Sequence, residues 1–577
     1  MKKTLVYLKK YTFESVTAPL LKLLEALLEL IVPIVVASII DRGIANGDSP
    51  YVVKMVLLLL LMGAVGLAFS LTAQYFSAKA ACSFSADLRS ALFSKIQSFS
   101  FSKLDTIGTH TLITRMSSDV NQVQSGVNLT LRLLLRSPFV AFGAMIMAFI
   151  VGKNAPTATV AFAVVIPALL VVIFIILLAG IPIYTKAQNS LDTVTGKLKS
   201  NLDGSRVIRA FRLESDQTEE FSRSVDASRR IQIIAGRISS LLNPLTFVII
   251  NVAIIALLYN GALEVDSGNL TQGELIALYN YMTQILVELI KMANLIITVT
   301  KAIACAKRIS AVMETESGME STENSAENNE KAPLVSMKNV SFMYEGSSGY
   351  VLENIDLTVE RGEKVGIIGG TGSGKSTLVS LIPRFYDVQS GCVAFDGKDV
   401  KSEDVDALRK KIGFAFQKTT LFKGSVASNI RKGKSDATDE EIRDALKVAQ
   451  IESLVDTAKE GLDYPVEQGG RNLSGGQKQR LNVARAIVGR PELVILDDSS
   501  SALDRVTDAK MRTAIAKLDF SPALIIVSQR VESVASCDKI LVLDGGHVAG
   551  LGSHQDLYEN CEVYREICDS QMGGELA

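Results

Sequence analysis

The chain has 577 residues, 60 Lys and Arg against 61 Asp and Glu, and 48% hydrophobic residues. A net charge near zero with no basic tract argues against a nucleic-acid binder, and an apolar content concentrated in the first half argues for a membrane protein. Cys82, Cys305, Cys392, Cys537, Cys561 and Cys568 are scattered without C-x-x-C spacing, so reduced thiols and no cysteine-held metal are expected.

In chain order, the opening Met1-Lys2-Lys3-Thr4-Leu5 has no apolar run long enough before Lys9 and Lys10 for a signal peptide. Residues 4–14 place Leu5, Tyr7, Leu8 and Tyr11 among lysines, as in a short amphipathic helix at the cytoplasmic membrane surface or a plain leader to the first span. Apolar runs follow at 17–41, 52–78, 127–151, 157–184, 241–263 and 273–300, each near or above the roughly 20 residues that cross a bilayer. Six spans are predicted. Lys and Arg crowd 79–126 and 186–237, whereas the connections at 42–51, 152–156 and 264–272 carry only Arg42 and Lys153. Positive-inside bias therefore puts both termini and the two long connections in the cytoplasm. Those connections keep helical periodicity, for example over Ala86–Phe93 and Leu191–Phe211, so the spans extend into the cytosol as helices. Their tips fall near Lys103–Thr109, around Gly108, and near Phe211–Gln217, where a force from a cytoplasmic motor would enter.

Charges inside apolar runs are costly and point to pairing or to a polar cavity. Lys22, Glu25 and Glu29 share one face of the first span, and Glu288 and Lys291 one face of the sixth. They either line a cavity that accepts substrate or form helix-to-helix ion pairs. Arg132 and Arg136 sit near the inner interface, where snorkelling is expected.

From Glu314 to Lys331 no apolar face exists, which reads as a flexible acidic linker. The predicted division is 1–313 for the membrane domain, 314–332 for the linker and 333–577 for a second domain. There, short apolar strands alternate with amphipathic helices, the pattern of an α/β domain with parallel strands. Val335–Tyr344 reads as an early edge strand ending in an aromatic. Lys364-Val365-Gly366-Ile367-Ile368 leads into Gly369-Gly370-Thr371-Gly372-Ser373-Gly374-Lys375-Ser376-Thr377, the strand, loop and helix context of G-x-x-x-x-G-K-S. Its backbone N–H groups cradle a polyphosphate, Lys375 adds an ammonium, and Ser376 offers a hydroxyl to Mg²⁺. Leu493–Asp498 is a buried strand with two carboxylates at its C-terminal end, the end that faces ligand in open α/β sheets.

Leu473-Ser474-Gly475-Gly476-Gln477, followed by Lys478-Gln479-Arg480, completes a set that includes Ser501-Ala502-Leu503-Asp504. In order and spacing this set resembles an ABC transporter nucleotide-binding domain, and six spans before one such domain resemble a half-transporter of the bacterial exporter type. The resemblance implies a multidomain fold, an all-α six-helix transmembrane domain followed by an α/β P-loop ATPase, with ATP and Mg²⁺ as cofactors and two chains per pair of sites. It implies that Tyr344 stacks on adenine, that Gln417 senses the metal and contacts the membrane part, and that Asp497 holds Mg²⁺ through water. It also implies that Ser474, Gly476 and Gln477 close on the γ-phosphate bound by the opposite subunit, and that Asp504 belongs to the catalytic set.

Two positions depart from the family pattern. Asp498 stands where a glutamate usually polarises the attacking water, and Gln529, in Ile526-Val527-Ser528-Gln529-Arg530, stands where histidine usually precedes arginine. A carboxylate retracted by one C–C bond and a side chain unable to carry positive charge both weaken hydrolysis. The chain resembles the degenerate-site subunit of heterodimeric bacterial multidrug-type exporters, carrying amphipathic or apolar drug-like molecules or lipids across the cytoplasmic membrane. A homodimer with a slow ATPase, and a regulatory membrane subunit that binds ATP without pumping, remain as alternatives.

Overall fold

The computed structural model describes Thr4 and residues 6–318, 332–499 and 501–572. Most of the expected acidic linker, 319–331, lies outside the described residues. The chain divides into two compact units, Met1–Ile96 with His110–Thr315, and Gln97–Thr109 with Glu316–Ala577.

The first unit is all helix. Val6–Ile44, Ser49–Gln97, Thr109–Val151, Pro244–Asp266 and Gln272–Glu314 are long and apolar enough to cross a membrane. The remaining expected run, 157–184, opens the helix Pro156–Asp203, whose described apolar stretch Thr159–Leu169 is shorter. Pro156 suits the first turn, where no intrahelical N–H bond is lost. Helices Ser49–Gln97 and Pro156–Asp203 have 49 and 48 residues. At 1.5 Å per residue each is about 70 Å long, over twice the hydrocarbon thickness, so they continue far beyond the bilayer. Phe162, Leu257, Leu278, Tyr281 and Met282 are fully buried in the core of this unit. Tyr281 Oη donates to Leu30 O at 2.7 Å, tying the last helix to the first.

The intramembrane charges pair with one another. Lys22 Nζ donates to Glu25 Oε2 at 2.6 Å and to Ser70 Oγ at 2.9 Å. Arg136 bridges Glu29 at 2.5 Å and Glu288 at 2.7 Å, and Lys291 joins Glu288 at 2.8 Å. Arg136 does not snorkel: it is 7% exposed. Two carboxylates on neighbouring helices pair with its guanidinium inside the bundle, and these two charge-assisted bonds replace the headgroup contacts that snorkelling would provide.

In the second unit a six-stranded sheet runs in the order His547–Gly552, Lys539–Asp544, Lys364–Gly369, Ala523–Val527, Leu493–Asp497, Ile412–Ala415. All neighbours are parallel except the first pair. Alternate residues feed two cores, Ile368, Leu496 and Ile526 on one face and Ile367, Ile495 and Ile525 on the other. Burial on both faces is why these strands are continuous apolar runs. Val335–Phe342 corrects the edge-strand expectation. It lies inside a four-stranded sheet, paired antiparallel with Leu352–Val359 and Ser390–Phe395. Both of its partners come from segments further along the chain, which the strand's own residues do not reveal.

Residues 97–109 pack within this second unit. Ser100 caps the helix Phe101–Ile107, and Gly108, at φ 80, turns the chain back. Phe101 lies 4.5 Å from Phe385 between ring centroids, Asp105 accepts from Tyr386 Oη at 2.8 Å, and Glu345 receives Ser102 at 3.0 Å and Lys103 at 3.1 Å.

Candidate functional site

Parallel pairing aligns Val527 with both Ile367 and Asp497, and Ala415 with Leu496. The loops after these four strand ends therefore open on one side of the sheet. They enclose a cavity of 340 Å³ lined by Thr371, Gly372, Gly374, Lys375, Ser376 and Thr377 from the glycine loop. Val351, Gln417, Asp497, Asp498, Val527, Ser528 and Gln529 complete the lining. Two glycines shape the loop for steric reasons. A Cβ on Gly369 would lie 2.1 Å from Leu543 O, and one on Gly374, at φ 94, would lie 2.7 Å from Leu352 Cδ2.

Lys375 is 8% exposed and folds back, its Nζ donating to Gly369 O at 2.9 Å, Gly370 O at 2.6 Å and Ser373 Oγ at 3.4 Å. Burial lowers its pKa, while the Asp498 and Asp497 charges oppose that shift. An incoming polyphosphate offers this ammonium a charged partner in place of neutral carbonyls. Asp497 is 5% exposed and accepts from Ser376 Oγ at 2.8 Å. Burial pushes its carboxyl up to about 6, with the Asp498 charge adding to the shift and Ser376 and Lys375 opposing it. Asp498 has a left-handed backbone, φ 44, and its N–H donates to Val527 O at 3.0 Å. Its carboxylate accepts from Gln417 Nε2 at 3.2 Å. The Ser376 hydroxyl, the Asp497 carboxylate and the Gln417 amide are hard oxygen donors, a set that fits Mg²⁺ shared with phosphate oxygens. Among the described residues no cluster of three or more His, Cys, Asp and Glu offers an alternative all-protein site.

Not every expected residue reaches this cavity. Tyr344 lies beside it, Oη 3.0 Å from Thr377 Oγ1, with its ring edge-on to Phe342 and Tyr386; it lines a neighbouring cavity of 480 Å³. Leu473, Ser474, Gly475, Gly476 and Gln477 are absent from the lining. Ser474 caps the helix Gly475–Ile487 in a reciprocal box with Gln477, which leaves Ser474 and Gly475 exposed. Asp504 caps the helix Arg505–Ala516 through Thr507 N at 2.8 Å. One contact escaped the sequence reading. Gln479, 7% exposed, donates to Ser501 Oγ at 2.8 Å and accepts from Ala502 N at 3.0 Å, joining the signature helix to the loop after the two carboxylates. Its spacing from Val483 and Ile487, both buried at successive i+4 steps, is the signal that it faces inward.

The model of the ABC transporter transmembrane region matches residues 16–289, and that of the ABC transporter domain matches 352–501. An uncharacterized ABC transporter ATP-binding protein of Mycobacterium tuberculosis (strain ATCC 25618 / H37Rv) is 35% identical over 556 residues, 96% of this chain and 95% of its own length. This chain belongs to the ABC transporter family. A second such ABC transporter protein, of Bacillus subtilis (strain 168), is 33% identical over all of this chain and 99% of its own. An ATP-dependent lipid A-core flippase of Syntrophus aciditrophicus (strain SB) is 28% identical, covering 84% of this chain and 80% of itself. The structure of a bacterial Atm1-family ABC exporter with ATP bound superposes with a TM-score of 0.82 at 22% identity, over 99% of both chains, which shows the shared fold. The ABC transporter described here is thus a multi-pass membrane protein with a fused cytoplasmic ATPase domain, and its chemistry is ATP hydrolysis coupled to transport.

Proposed function

We propose that this ABC exporter chain is the degenerate-site half of a heterodimer in the cytoplasmic membrane. Residues 1–313 form the permease, 314–332 the linker and 333–577 the motor. Its own cavity binds ATP through Thr371–Thr377 and cleaves it poorly, while Ser474, Gly476 and Gln477 complete the working site on a partner chain. The observation that carries this is the pair Asp498 and Gln529 lining the cavity while the signature residues lie outside it. Gln417 holds the Asp498 carboxylate at 3.2 Å, which keeps an already short acid from reaching a water at the terminal phosphate. Mg²⁺, when bound with the nucleotide, supplies charge neutralisation. Ser376 and Asp497 orient that end of the site, Lys375 neutralises phosphate, and Gln529 contributes one neutral hydrogen bond.

ATP drives transport to the extent that it binds the closed pair of ATPase domains better than the open one. The cargo is proposed to be amphipathic or apolar, lipids included; relatives named lipid A-core flippases support that class. Phosphate release from the chain purified alone in lipid nanodiscs is the test. Release is expected to be slow, and Asp498→Glu combined with Gln529→His raises it on the order of a hundredfold, the scale of a ~1 Å repositioning. Brisk release from the native chain, abolished by Asp498→Asn, overturns the proposal.

A further inference from the structure

Gln529 presents its side chain to the cavity from a loop with few anchors of its own. The Ser528 N–H donates to Ile367 O at 3.1 Å, and Ser528 Oγ accepts from Arg530 N at 3.0 Å. After that the backbone leaves the sheet, and the helix Val531–Val534 has only four residues. The missing support comes from the far end of the chain. Gln571 Nε2 donates to Gln529 O at 2.6 Å, and Gln571 Oε1 accepts from Val531 N at 2.9 Å. One carboxamide thus holds the peptide groups on both sides of Arg530, reading backbone as a neighbouring strand would.

Gln571 is itself held firmly at its base. It sits near the end of the helix Glu562–Met572, which is seated by Tyr564 at 0% and Cys568 at 1% exposure. Residues 564, 568 and 571 follow i, i+4, i+7 and share one face, so the clamp stands at the exposed end of the face whose Tyr564 and Cys568 seat the helix. On its other side the loop meets Arg530, whose guanidinium reaches Leu503 O and Ser501 O at 3.4 Å. Gln529 therefore stands between two supports, and the one at Gln571 grips its own peptide.

We infer that Gln571 is a positioning residue for the terminal-phosphate contact: its bidentate grip on the Gln529 and Val531 peptides fixes where the Gln529 side chain stands in the nucleotide cavity. This rests on the reading of Gln529 as the group that meets the γ-phosphate. It does not depend on how fast the site hydrolyses ATP. Because Gln571 is exposed, water competes for both bonds and the effect is several-fold.

The full-length chain in nanodiscs is titrated with AMP-PNP and with ADP, each with Mg²⁺, so that no turnover occurs. Gln571→Ala is expected to weaken AMP-PNP about fivefold, the scale of one net hydrogen bond, and to leave ADP within about twofold. Gln571→Glu keeps the acceptor for the Val531 N–H but turns an oxygen toward Gln529 O; it is nearly isosteric, and is expected to lose at least as much. In a Gln529→Ala background neither change has a further effect. Equal losses for both nucleotides, no loss for AMP-PNP, or full additivity with Gln529→Ala overturns the inference. If Gln529→Ala alone leaves AMP-PNP affinity unchanged, the reading of Gln529 falls and the inference with it. Loss in Gln529→Ala without loss in either Gln571 variant overturns the inference alone.

Discussion

Asp497→Asn is expected to move the empty protein and the nucleotide-bound protein in opposite directions. The asparagine keeps size and retains the carbonyl that accepts from Ser376 Oγ, so the change removes little but charge. Asp497 has its carboxyl pushed up to about 6 by burial, against about 3.9 for an ordinary aspartate. A folded pKa above the unfolded one means that the neutral form favours folding below the unfolded value, and that this advantage is lost as pH rises through about 6. At pH 8 the two-unit difference costs the native chain about 3 kcal/mol, which the asparagine does not incur. The ATPase-domain transition of the full-length variant, without nucleotide, should rise by several degrees at pH 8. The gap between variant and native protein should shrink to about half by pH 5, since the folded carboxyl has by then taken up its proton while the unfolded one is still mostly ionised. With Mg²⁺ and ATP the order reverses, because the variant lacks the charge that draws the cation. Differential scanning fluorimetry at both pH values reads both effects. A variant less stable than native protein at pH 8 without nucleotide, or a gap independent of pH, refutes the burial argument.

Arg136→Met leaves Glu29 and Glu288 without their shared cation inside the bundle, and is expected to cost about 3–5 kcal/mol, read as loss of folded protein in detergent on heating. Gly273→Ala places a Cβ 2.4 Å from Ala37 O and 2.5 Å from Asp41 Oδ2, where Asp41 also accepts from Gly273 N at 2.8 Å. A cost of about 1–3 kcal/mol follows, measured in the same assay. Gln479→Leu removes the bonds to the Ala502 N–H and the Ser501 hydroxyl, and since both residues are exposed and water can replace them the cost is about 0.5–1.5 kcal/mol per bond. It should lower the thermal midpoint of the ATPase domain while leaving that of the membrane domain unchanged.

What could be read from the sequence alone was whatever depends on neighbours a few residues away or on composition over one span. The phosphate loop is of this kind, because Gly369 to Lys375 must turn tightly between a strand and a helix whatever surrounds them. So are the membrane runs and the helical extensions beyond them, each a matter of local spacing. Tertiary structure alone decided the pairings between distant segments. Arg136 was expected at the interface and is buried because Glu29 and Glu288, 107 and 152 residues away, converge on it. Val335–Phe342 gained strands on both sides, and Tyr344 came to rest against Thr377 and Tyr386 rather than in the lining of the phosphate cavity. Gln571 reached Gln529 across 42 residues through its place on a seated helix face. The division has one physical cause: a backbone turn or an apolar span is favoured by the chain's own sterics and solvent, whereas the partner of a charge or a carboxamide is chosen by packing, once the chain has folded back on itself.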